Sequence, residues 1–100
     1  MQTKNEKTFQ LTASENLNIE RLHYINESYK DFLAVLAKSF SEVPSDAGKE
    51  MLEHYRVLCQ RSWIELNIAQ NALFSALIGK VPENMGFRFD FERSEVSCWW

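Results

Sequence analysis

Chain-breaking residues are scarce, with three glycines and two prolines in 100 residues. Breaks fall at Pro44, Gly48, Gly79, Pro82 and Gly86, which leaves two long uninterrupted stretches open to helix. The glycines stand at turn positions, so no Gly-rich phosphate-binding loop exists. Cysteine is equally sparse. Cys59 and Cys98 make neither a disulfide framework nor a zinc-type spacing, which predicts a reducing, cytoplasmic setting. Neither sign of charge dominates: 11 Lys and Arg stand against 14 Asp and Glu, a net charge of −3. Without a basic stripe, nucleic acid is excluded as an expected partner. No apolar run approaches the roughly 18 residues of a membrane span. Met1 to Gln10 lacks the apolar core of a secretory signal, so none is predicted there.

What is present is hydrophobic periodicity in a chain 45% hydrophobic and 25% charged, the make-up of one soluble domain. Residues 1–11 read as a flexible or extended lead-in. Thr12-Ala-Ser-Glu15 has capping-box spacing and predicts a helix start. Leu22, Ile25, Tyr29, Phe32 and Leu36 then recur at steps of three and four, the helical period. Pro44 ends this arm, and Ser45, Asp46 and Gly48 supply turn and N-cap chemistry near 43–48, leaving the second start open between Asp46 and Lys49. The second arm runs through Leu52, Tyr55, Cys59, Ser62, Leu66, Ala69 and Leu73 to a Gly79 C-cap. Setting Thr12 opposite Gly79 places Leu22 against Ala69, Ile25 against Leu66, Tyr29 against Ser62, Phe32 against Cys59 and Leu36 against Tyr55. Large residues meet small ones, as interdigitated helices require. The fold expected is all-α: an antiparallel helical hairpin over 12–79 pairing into a dimeric four-helix bundle, with an extended aromatic C-terminal segment over 80–100.

Taking Leu22 and Leu52 as heptad position a puts Ile19, Leu33, Phe40, Trp63 and Leu77 at position e, a second apolar stripe that one hairpin cannot cover. Leu33, Phe40, Trp63 and Leu77 are therefore the expected dimer interface. The stretch Leu66 to Gly79 is uncharged, and its Asn67, Gln70 and Asn71 read as surface amides or register-fixing polar contacts.

Candidate chemistry fails on phase. Glu20 and His23 have the Glu-x-x-His spacing of di-metal bundles, but the heptad sets both on the solvated side, as it does His54. Cys59 and His54 point apart, so no nucleophile and base are paired. No catalytic, cofactor or metal site is expected. The C-terminal Phe87-Arg-Phe89-Asp-Phe91 alternates with a strand's period and needs a partner strand, either Thr8 to Leu11 or a second subunit. Phe87, Phe89, Phe91, Trp99 and Trp100 make this segment the expected partner-binding element.

No family motif is identified. The long paired amphipathic helices with a charge-poor stretch resemble, in outline, the phasins that coat polyester granules. The function expected is a non-enzymatic, regulatory protein-binding module (adaptor, inhibitor or chaperone) acting as a homodimer on a protein partner. The resemblance implies the alternative, an amphiphilic coat on a hydrophobic surface.

Overall fold

The computed structural model describes residues 5–100, so residues 1–4 of the lead-in expected over 1–11 lie outside the described residues. The order of elements is β1 (Glu6–Gln10), α1 (Ala13–Glu42), α2 (Asp46–Ile78), β2 (Gly86–Asp90) and β3 (Glu95–Trp99). The helix limits follow from local chemistry. Thr12 N–H donates to Glu15 Oε1 at 2.9 Å and Glu15 N–H donates to Thr12 Oγ1 at 3.1 Å, the reciprocal capping box read from sequence. At α2 the cap is Ser45, whose Oγ accepts from Gly48 N–H at 2.9 Å, which fixes the start at Asp46. Gly79 ends α2 with φ 90°, the left-handed conformation that glycine adopts without a Cβ penalty.

The expected all-α class is corrected: the chain carries a three-stranded antiparallel sheet of order β1-β3-β2. The C-terminal segment is built into it rather than extended alone. Phe87 pairs with Cys98 and Phe89 with Val96, while Phe9 pairs with Val96 from the other side. Both partners foreseen for the Phe87 strand are therefore displaced by β3, which lies between β2 and β1. The ladder extends past β3, since Asn5 and Trp100 exchange backbone hydrogen bonds at 2.8 and 2.9 Å.

The chain divides into two compact units. The first joins residues up to Glu20 with Ala69–Trp100 and holds most of the buried apolar side chains: Leu11, Ile19, Leu73, Phe74, Val96 and Cys98. Val96 and Cys98 are fully buried, and the Phe74 ring lies 4.9 Å from Phe87 and 6.0 Å from Phe89. One sheet face thus packs on α2, and each large apolar side chain enclosed there contributes about 1.5–3 kcal/mol. The β2–β3 turn is held from α1 and β1: Asn16 Nδ2 donates to Phe91 O at 2.9 Å, and Gln10 Nε2 to the carbonyls of Arg93 and Ser94 at 3.1 Å.

The second unit, Arg21–Ile68, buries far less. Leu22 and Leu66 are its buried apolar side chains, joined by two polar ones, Asn26 and Ser62.

Candidate functional site

In Arg21–Ile68, α2 meets α1 with the face the heptad assigns, through Tyr55, Cys59, Ser62 and Leu66, whereas the α1 face is rotated from the assigned one. Asn26, at position e, is 2% exposed, and its Nδ2 donates to Ser62 Oγ at 2.9 Å and more weakly to Cys59 O at 3.4 Å. Ser62 Oγ in turn donates to Cys59 O at 2.8 Å. Ile25 and Phe32, expected in the seam, are instead 38% and 40% exposed. The observed contacts also run about one helical turn from the expected register. Asn26 reaches Ser62, where the sequence sets Tyr29, and the Phe32 ring lies 4.7 Å from Tyr55, where the sequence sets Leu36. A buried amide bonded across the helices to a buried hydroxyl favours this register, as a single polar core residue does in a coiled coil.

This rotation leaves an apolar groove of about 700 Å³ along α1, lined by Arg21, Tyr24, Ile25, Ser28, Tyr29 and Phe32. The six recur at steps of three, one, three, one and three, so they form one continuous stripe. Small Ser28 sits between bulky neighbours on either side and makes the concavity. A second groove of about 270 Å³ lies between the helices, lined by Asn26, Lys30, Leu33, Arg56, Cys59, Gln60 and Trp63. Its rim is cationic. Lys30 is 3.3 Å from Glu27 on the same helix, an exposed pair that contributes only a few tenths of a kcal/mol.

The residues singled out from sequence are scattered by the fold. Leu33 is half-buried in the second groove beside Trp63, which is 55% exposed. Phe40 is half-buried near the turn, where a Cβ on Gly48 would lie 3.4 Å from its ring. Leu77 belongs to the other unit and is half-buried there. Phe87 and Phe89 pack on Phe74, Phe91 stacks on Phe89 at 5.7 Å in the β2–β3 turn, and Trp99 and Trp100 are half-buried. The indole of Trp99 covers Gly86 so closely that a Cβ there would overlap it.

Burial pushes the Cys98 thiol above its ordinary ionisation range, which keeps it protonated and unreactive. Among the described residues, no group of three or more His, Cys, Asp or Glu side chains is placed to hold a metal ion. No helix is long and apolar enough to cross a membrane among the described residues. Sequence reasoning missed Tyr24 and Ser28. Their signal was a repeat through Leu17, Tyr24, Ser28 and Val35 that lies beside the stripe chosen as the seam. Compared with known proteins, the chain matches no family model, no curated protein and no solved structure.

Proposed function

We propose that this chain is a non-enzymatic protein-binding module that works as a homodimer, of the adaptor, inhibitor or chaperone kind. One observation carries the reading. The chain exposes 7515 Å² at a mass of 11.7 kDa, about 1,600 Å² more than the roughly 5,900 Å² of a folded monomer of that mass. Among the described residues, every exposed large hydrophobic side chain apart from Leu17 and Phe87 falls in Arg21–Ile68, with Tyr24, Val35, Trp63 and Ile68 all more than half exposed. A soluble monomer rarely carries such patches unless they bind something. A standard protein interface covers about 800 Å² per partner.

A second reading, an amphiphilic coat on a lipid or polyester surface, draws on the uncharged Leu66–Gly79 stretch and the exposed Ile68 within it. Sedimentation and circular dichroism separate the two. The dimeric module sediments at twice 11.7 kDa, melts cooperatively with a midpoint that rises with protein concentration, and keeps its helicity when phosphatidylcholine vesicles are added. A chain that stays monomeric and gains helix on vesicles is a coat instead.

A further inference from the structure

We infer that the groove between α1 and α2 receives an acidic amphipathic helix from a partner protein. The inference rests on the protein-binding reading above and names the surface and the chemistry of its partner. Asn26 lies opposite Ser62 and the Phe32 ring meets Tyr55, which sets Arg56 level with residues 31 and 32. Lys30 and Arg56 therefore stand on opposite walls of the groove within about 3 Å of one height, at a rise of 1.5 Å per residue. Both are exposed, and no carboxylate lines the groove. Among the described residues, Arg56 forms no ion pair and Lys30 pairs only with Glu27, at 3.3 Å. In a chain of net charge −3, like charges are thus gathered where the carboxylates of a partner would offset them. The rest of the groove is largely apolar, with Leu33 and Cys59 half-buried and Trp63 55% exposed. A tryptophan left open in a recess is the kind of anchor on which interfaces concentrate their energy.

Size and direction decide what fits. A volume of about 270 Å³ falls short of the roughly 300–1,000 Å³ that encloses a small-molecule ligand. The α1 wall holds Asn26, Lys30 and Leu33 and the α2 wall Arg56, Gln60 and Trp63, each at steps of four and three, so the groove runs along the helices for about 10 Å. A helix laid in it packs against both arms at the usual separation of about 8–10 Å and completes a three-helix bundle. The apolar stripe of that helix meets Leu33, Cys59 and Trp63, and carboxylates on its two flanks face Lys30 and Arg56. A second copy does not satisfy these walls, because a twofold axis through the groove brings its cations toward those of the mate, and like charges so placed oppose association.

Fluorescence anisotropy of two labelled three-heptad peptides, with leucine at heptad positions a and d and either glutamate or lysine at e and g, tests the assignment on the full chain. The glutamate peptide should bind about tenfold tighter than the lysine peptide at about 0.01 M salt, and lose most of that preference at about 1 M, where screening is nearly complete. A chain carrying both Lys30→Glu and Arg56→Glu should reverse the preference, and Trp63→Ala should weaken the binding of both peptides. Lys30, Arg56 and Trp63 are exposed, so these variants should keep the parent's helical spectrum and melt, and the milder Arg56→Gln should by itself weaken the glutamate peptide about threefold. Equal binding of the two peptides, a preference unmoved by the charge reversal, or no binding of either at millimolar peptide overturns the groove. Sedimentation of the parent decides the dimeric module separately, so a failed groove leaves that reading standing. A doubly substituted chain that sediments at half the parent's mass gives the groove to a second copy and overturns the proposal. Phosphatidylglycerol vesicles that bind the parent, and not the doubly substituted chain, in place of the peptide give it to a lipid surface with the same effect.

Discussion

Asn26 sits in a nearly closed space between the helices, with its amide spent on Ser62 Oγ and the Cys59 carbonyl. A buried polar group that loses its partner retains its desolvation penalty, whereas an apolar pair of the same shape carries none. Asn26→Ala is therefore expected to cost about 1–3 kcal/mol in urea unfolding. Together with Ser62→Ala it should show a coupling of roughly 0.5–3 kcal/mol in a double-mutant cycle. Additive losses would mean that the two side chains do not act as one. The heptad reading passed over Asn26 because it located the seam by apolar residues alone, and a polar residue inside a seam is invisible to that criterion. Cys98 makes a different test. Its thiol ionises above the ordinary 9.0 in the folded chain and near that value in the unfolded one. As pH rises past about 9 the unfolded state releases this proton first, so the associated stability is present below that pH and declines above it. A Cys98→Ala chain should lack this alkaline decline relative to the parent, measured as denaturation midpoint against pH.

At the scale of elements, the helix ends were the most legible part of the chain. Thr12 and Glu15, Pro44 with Ser45, and Gly79 are local signals that act within one turn, and the helices stop where they say. The sheet was legible only in part: the Phe87 strand and the Thr8 to Leu11 segment were read, but not β3, whose pairing with Phe9 and Phe89 through Val96 only the fold brings about. In sequence, β3 is merely Val96 and Cys98 alternating with polar residues before two tryptophans. That placement changes what deletion should do. Removing residues 84–100 strips the cover from Phe74 and deletes the buried Val96 and Cys98, so the truncated chain should lose its cooperative melt. A truncated chain that melts like the parent would return the segment to the role of a detachable binding tail. Single residues probe the same element more finely. Ser94 holds φ 55° in the β2–β3 turn, a conformation costly for a residue with a Cβ, so Ser94→Gly should raise the melting temperature modestly, by an amount equivalent to a few tenths up to about 1 kcal/mol. Gly86→Ala should lower it, since the new Cβ must displace the Trp99 indole.

At the scale of the whole molecule, burial is divided unequally between two stretches of one chain. The unit containing the sheet encloses Val96, Cys98, Phe74 and Ile19, while Arg21–Ile68 encloses Leu22 and Leu66 around a polar pair. That the hairpin exposes more apolar surface than it covers was legible in the excess of hydrophobic positions over one seam. Which side stays open was not, because two stripes of similar character flank each other on α1 and the choice turns on Asn26 finding Ser62. Local stability follows buried apolar contact, so on the proposed dimer the backbone amides of Arg21–Ile68 should depend on association for their protection, and those of the sheet should not. Hydrogen exchange at high and at low protein concentration checks this at peptide resolution. Amides within Arg21–Ile68 are expected to exchange faster in the dilute sample, and amides of β1, β2 and β3 at the same rate in both. Uniform acceleration across both stretches would show instead that the chain opens as a single cooperative unit, with stability shared rather than supplied to the hairpin by its second copy.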